Sequence, residues 1–213
     1  MEPPSPAQQF PDYSIETAAA ARGHEPVAGI DEAGRGPWAG PVVASAVILD
    51  PEGIPSGLDD SKRLSEACRE ELYAALLRNA KVSIGVATVD EIDSLNILNA
   101  ALLAMRRAAE GLVVQPKFAL IDGNRAPDLA CLVRTIVKGD QKCLSIAAAS
   151  IVAKVTRDRI MTNLAADHPA YGWDSNKGYG TKKHQVALSS HGVTQHHRRS
   201  FKPIHNMLYQ YKS

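Results

Sequence analysis

Cysteine is scarce in this chain: three in 213 residues, Cys68, Cys131 and Cys143, far apart in sequence. An odd count with no Cys-x-x-Cys pair builds neither a disulfide framework nor a zinc knuckle, and a reduced, cytoplasmic compartment is the expectation. Long apolar runs are also missing. No stretch reaches 18 residues, so no spanning helix and no membrane partner are expected. The N-terminus from Met1 to Ala21 has no basic region followed by an apolar one, and does not read as a secretory signal. No GxxxxGK[ST] occurs, which leaves a P-loop NTPase unsupported. Gly34-x-Gly36-x-x-x-Gly40 misses the spacing of a dinucleotide fingerprint. His184, His191, His196 and His197 lack cysteine partners and zinc spacing, so a basic nucleic-acid face is the expectation there.

What is present fits a folded chain. Hydrophobic residues make up 45% and charged residues 22%. The length allows one core without disulfides or a structural metal. Twenty-four Lys and Arg against 23 Asp and Glu look balanced, but they are unevenly spread. Between Asp174 and Ser213 lie Lys177, Lys182, Lys183, Arg198, Arg199, Lys202 and Lys212, opposed only by Asp174. That tail reads as a solvated basic face or as a footprint for phosphate backbones.

Periodicity orders the chain. Residues 1–22, rich in Pro, Gln, Ala and Ser, predict a disordered leader. Val27–Ile30 and Val42–Leu49 predict two neighbouring strands, separated by the turn Gly34-Arg35-Gly36-Pro37. Residues 65–79 predict a helix capped by Ser65. Lys81–Val89 predicts a third strand, and Asp90–Glu110 one long helix stopped by Gly111. Phe118–Ile121 and Leu132–Val137 predict two more strands, and Ser145–Ala166 an Ala-rich helix whose small residues pack closely on a sheet. Strands interleaved with helices give an α/β sheet covered by helices.

The acids fall at strand ends. Asp31 and Glu32 end the first predicted strand, Asp122 the fourth, and Asp140 closely follows the fifth. Taken singly, each reads as an ordinary turn residue. If those strand ends lie side by side, four carboxylates meet and raise one another's pKa values, and a divalent cation relieves the repulsion. Oxygen-only ligation selects Mg²⁺ or Mn²⁺ over zinc. Successive strand residues point to opposite faces, so Asp31 and Glu32 share a site only if the strand ends or bends between them.

At Gly29-Ile30-Asp31-Glu32-Ala33-Gly34-Arg35-Gly36-Pro37, continuing as Ala39-Gly40-Pro41-Val42-Val43, the sequence resembles the signature of the type 2 ribonucleases H. Similar segments follow in order: Asp60-Ser61-Lys62, Ile121-Asp122-Gly123, Lys138-Gly139-Asp140, Ser145 through Lys154, Arg157-Asp158, Gly178-Tyr179-Gly180-Thr181 and His197-Arg198-Arg199-Ser200-Phe201. The resemblance spans residues 27 to about 204. Arg35, where the HIII branch usually carries Lys, and a leader too short for an extra domain favour the bacterial HII branch.

The resemblance implies an α/β, ribonuclease-H-like mixed five-stranded sheet flanked by helices, with a C-terminal helical extension. It divides the chain into a leader (1–22), a catalytic core (23–167) and a basic helical segment packed on it (168–213). It implies an endoribonuclease acting on RNA–DNA hybrids and on ribonucleotide-containing duplex DNA, nicking 5′ of a single ribonucleotide. Products would be 5′-phosphate and 3′-hydroxyl ends, made with two divalent ions, Mn²⁺ or Mg²⁺. Asp31, Glu32, Asp122 and Asp140 would be the catalytic, metal-binding carboxylates. Gly34, Arg35 and Gly36 would read the ribose 2′-OH together with Tyr179. Lys62, Lys154, Arg157 and Lys182 are candidate phosphate contacts, though each alone also reads as a solvated charge. The chain is expected to act as a monomer. Outside this class stand a catalytically silent hybrid binder and a general metal-dependent nuclease.

Overall fold

The computed structural model describes residues 10–209. Five strands form one mixed sheet: β1 (Val27–Ala33), β2 (Val42–Ile48), β3 (Lys81–Ala87), β4 (Phe118–Asp122) and β5 (Leu132–Ile136). Their order is β3-β2-β1-β4-β5. β1, β2 and β3 are antiparallel neighbours, while β4 runs parallel to β1 and β5 parallel to β4. The architecture is the expected ribonuclease-H-like one.

Helices cover both faces. Helix α4 (Ile97–Glu110) lays Ala100, Ala104 and Ala108 against Ala28, Ile30, Ala44 and Ile121. On the other face α2 (Glu66–Asn79) and α5 (Leu144–Asp167) bury Leu76, Ala147, Ala148, Ala149, Ile151 and Val152 with Val47. Small residues set the spacing. A Cβ on Gly29 would stand 2.1 Å from the Ser145 carbonyl carbon, and one on Gly85 2.0 Å from the Ala104 oxygen. Both glycines let a helix backbone touch the sheet, so the Ala-rich run of α5 is packing, as its composition predicts.

Four expectations change. Part of the predicted leader is helix α1 (Ser14–Ala20), whose Glu16 is buried and accepts from the backbone N–H and hydroxyl of Ser145. The contact is 129 residues away in sequence, beyond the reach of local composition. Residues 1–9 of that leader lie outside the described residues. The predicted long helix is two, α3 (Val89–Leu95) and α4, broken at Asn96. Asn96 takes φ 68°, and its side chain accepts from the N–H groups of Leu98 and Asn99, starting a new helix. Thr88 and Glu91 form a capping box at the start of α3, which ends β3 at Ala87. Finally, β1 runs on through the acid pair to Ala33 instead of ending at Ile30.

After α5 the chain forms α6 (Trp173–Asn176), α7 (Lys182–His191) and α8 (Lys202–Tyr209), gathered around buried Met161, Tyr171, Trp173, Leu188 and Ile204. None of the described helices is long and apolar enough to cross a membrane.

Candidate active site

The strand register brings the acids together. β1 and β4 are parallel with Ile30 opposite Ile121, so Asp31 and Asp122 follow on adjacent strands where their shared pairing ends. β1 continues beyond that point only on its β2 side, where Asp31 pairs Ser45 and Glu32 pairs Ala44. Both acids line one cleft of about 420 Å³ despite their alternation, in company with Asp122, Lys62, Lys154 and Tyr179. Asp140 arrives from a short 3₁₀ turn, Gly139–Gln141. That turn is fastened to β4 because Asp122 Oδ1 accepts from Gly139 N–H at 2.7 Å.

Electrostatics show how close the four are. Burial pushes the Asp31 carboxyl well up, and Glu32, Asp122 and Asp140 push it further. Glu32 is raised by burial against the pull of Arg35, whose Nη1 stands 3.1 Å from Glu32 Oε1. Asp140 is pushed up to about 6, first by burial and then by Asp60 and Asp122. The direction is that of anions crowded in a low-dielectric place. Among the described residues no three His, Cys, Asp or Glu side chains close on one point at ligating distance. The acids are interacting neighbours, not a finished cage.

Asp60 is a fifth acid that sequence reasoning left without a role. It is buried, accepts from Lys62 N–H at 2.9 Å and from Gln141 Nε2 at 3.2 Å, and faces Asp140. Burial acts to raise its carboxyl, but those hydrogen bonds outweigh it and hold it below the ordinary value. The Asp60-Ser61-Lys62 run was the available signal. Lys62 Nζ lies 4.0 Å from both Asp60 Oδ1 and Asp140 Oδ2 while its side chain remains exposed. Burial lowers its ammonium, and the surrounding acids more than reverse this.

The Gly34-Arg35-Gly36 turn and Tyr179 stand on the rim. Gly34 has φ +99°, and a Cβ there would strike Arg157 Nε at 2.0 Å, so this position requires glycine on both counts. A Cβ on Gly36 would meet the Tyr179 ring at 3.4 Å. The ring is half exposed beside the turn. Its backbone is held by a buried pair of histidines. His184 Nδ1–H donates to Tyr179 O at 2.9 Å, which leaves Nε2 to accept from Trp173 Nε1 and from His197 Nε2, 3.0 Å away. His197 Nδ1 then accepts from Thr194 N–H. Each ring nitrogen has one role, and both rings are neutral. Burial lowers His184, and burial with the nearby His184 brings His197 down to about 3.

Three expectations are therefore corrected or narrowed. His184 and His197 are fully buried and belong to no basic surface. Arg157 is equally buried, with Nε, Nη1 and Nη2 donating to the carbonyls of Pro41, Lys177 and Ala39. It lines the cleft, but each of its guanidinium nitrogens already donates to a backbone carbonyl, so its role as a phosphate contact is narrowed. Lys154 lines the cleft, paired with Asp158 at 2.8 Å. Lys182 does not line it: it borders a separate shallow depression with Lys183 and His191.

Comparison with known proteins agrees with this geometry. The ribonuclease HII family model matches residues 28–204. The chain is 59% identical over 201 residues to ribonuclease HII of Ruegeria pomeroyi, covering 94% of this chain and 86% of that one. It is 60% identical over 201 residues to ribonuclease HII of Cereibacter sphaeroides, covering 94% and 95%. The structure of ribonuclease H2 from Pyrococcus horikoshii superposes with a TM-score of 0.71 at 27% identity, covering 85% of this chain and 96% of that one. With a mixed sheet that gathers four carboxylates beneath a glycine turn, and relatives matching nearly end to end, this chain belongs to the ribonuclease HII family of endonucleases, which have ribonuclease H activity on RNA–DNA hybrids.

Proposed function

We propose that this chain cleaves on the 5′ side of single ribonucleotides embedded in duplex DNA as well as within RNA–DNA hybrids, leaving 5′-phosphate and 3′-hydroxyl ends. The observation that carries the reading is the joint lining of one cleft by the acids Asp31, Glu32 and Asp122 and by the turn Gly34-Arg35-Gly36 with Tyr179. The acids fit divalent cations of the Mg²⁺ or Mn²⁺ kind: the donors are all carboxylate oxygens, Asp31 and Asp140 are buried, and their mutual repulsion is only partly offset by Arg35 and Lys62. Asp31, Glu32, Asp122 and Asp140 would hold two such ions. Bound there, the ions would supply charge neutralisation and Lewis acidity to attacking water and leaving 3′-oxygen.

The chain's own groups do the selecting. The glycine turn lets backbone approach a ribose closely, and a 2′-OH both donates and accepts where a deoxyribose does neither. The Tyr179 ring, beside Gly36, is available to pack on the adjoining sugar. Arg35 is fixed toward Glu32, between acids and turn, and Lys62 and Lys154 offer cations to the strand backbone. The acting form is proposed to be a monomer.

The test is cleavage of end-labelled duplex DNA carrying one ribonucleotide, beside an all-DNA control, each with Mg²⁺, Mn²⁺ or EDTA. A metal-dependent nick 5′ of the ribonucleotide, absent from the control, is the expected result. Tight binding without cleavage would make the chain a silent binder, and cleavage of both duplexes a general nuclease.

A further inference from the structure

Two fully buried arginines lie beneath the rim turn, and neither forms an ion pair among the described residues. Arg198 Nη2 donates to Gly34 O at 2.6 Å and to Pro41 O at 3.2 Å, Nη1 to Arg35 O at 3.0 Å and Nε to Gly40 O at 2.9 Å. Arg157 takes Ala39 O and a second bond to Pro41 O. Five carbonyls of the segment 34–41 are thus drawn toward two guanidiniums. A planar fork is the side chain that can span several carbonyls at fixed angles; a lysine ammonium is a point.

This arrangement has a consequence on the opposite side of the turn. In a trans peptide unit C=O and N–H point in opposite directions. With Gly34 O and Arg35 O tied inward to Arg198, the N–H groups of Arg35 and Gly36 face away from it. Both residues line the cleft, and neither N–H has a hydrogen-bond partner among the described residues. We propose that Arg198 is a positioning residue for substrate selection: its guanidinium sets the two peptide planes so that the Arg35 and Gly36 N–H groups form a fixed donor pair for a ribose oxygen. The inference rests on the reading that this turn meets the 2′-OH, and adds what fixes its orientation. Arg198 itself touches no substrate.

The experiment has two arms. In the first, Arg198→Lys, which keeps the charge and loses the fork, is compared with wild type on the single-ribonucleotide duplex and for binding to all-DNA duplex in Ca²⁺. We expect kcat/KM to fall about 100-fold, as for a reacting group displaced by about an ångström. The dissociation constant for all-DNA duplex should stay within about two-fold, since phosphate contacts set it. A folded variant with unchanged kcat/KM, or with an equal loss in all-DNA binding, would overturn the role of Arg198. The second arm uses wild type alone, so it survives a variant that fails to fold. Amide NMR of the EDTA-treated enzyme should show Arg35 and Gly36 N–H shifting with the ribonucleotide duplex and far less with all-DNA duplex. The Arg198 Nε–H should be observed and protected from exchange in free enzyme; rapid exchange would overturn the clamp. Amides that respond equally to both duplexes would overturn the underlying 2′-OH reading instead.

Discussion

The two sides of the cleft treat buried charge in opposite ways. On the sheet side, Asp31 and Asp140 are buried among other anions, and their carboxyls are driven up. On the C-terminal side, Arg157 and Arg198 are buried just as deeply, but backbone carbonyls receive their donors. His184 and His197 avoid charge altogether by staying neutral in a closed hydrogen-bond chain. A buried polar group that is satisfied makes a structure rigid, and one that is unsatisfied makes it hungry for a ligand. The difference teaches which side is suited to an ion, as proposed, and which side holds a shape.

Removing one acid should break this contrast most sharply. Asp31→Asn keeps the shape and removes a carboxylate that the proposal assigns to an ion, so cleavage should drop by about 1,000-fold or more. The metal-free protein should be no less stable, because a buried repelling charge has gone. Retained cleavage, or a lowered unfolding midpoint in EDTA, would remove Asp31 from the ion-binding side.

Acidity should separate the two sides next, because their linkage has opposite signs. His197 has its ordinary pKa of 6.5 when unfolded and about 3 when folded. Between those values the unfolded chain binds more protons, so stability falls as pH drops below 6.5, by on the order of 5 kcal/mol at the limit below pH 3. Asp140 runs from 3.8 unfolded to about 6 folded. Its protonated form favours the folded state below 3.8, and that contribution is lost as pH rises through 6. Urea unfolding of metal-free enzyme from pH 7.5 to 4.5 should show the two contributions largely offsetting below pH 6, where one falls and the other rises. His197→Gln should leave a stability that rises as pH falls from 6 to 4.5, and Asp140→Asn one that falls; a profile unmoved by either variant would dissolve the distinction.

The smallest effect concerns the exposed lysines outside the cleft. Lys182→Ala with Lys183→Ala should lower the slope of log affinity against log salt by about 2, near 0.9 per lost phosphate contact, with turnover unchanged. An unchanged slope would show that the basic segment serves the fold and not the duplex.

Much of this molecule was legible along the chain. Strands, the Ser65 cap and the packing role of Ala147–Ala149 follow from local chemistry, since periodicity and capping act over a few residues. The break at Asn96 was less legible, because a polar residue inside a helical pattern looks harmless until its backbone takes a positive φ. Helix α1 was illegible: its short sequence is held by Ser145, far along the chain. The histidines misled for the same reason. His197, Arg198 and Arg199 are three consecutive basic residues, and nothing local marks the first two as buried.

The sequence by itself determined which groups are available: an adjacent acid pair and two acids far from it, a Gly-Arg-Gly turn, a tyrosine between glycines and a basic tail. Those are properties of side chains and short spans, and the resemblance to a known family rests on them. Only the tertiary structure decided which of them meet. The parallel pairing of β1 with β4 sets Asp31 beside Asp122 across 91 positions of chain, and the Gly139 hydrogen bond adds Asp140. The same fold turned Arg157 from a candidate phosphate contact into a clamp, because its surroundings offer carbonyls in place of water. Charge is written in the sequence, but whether a charge faces solvent, substrate or backbone depends on burial, and burial belongs to the whole fold.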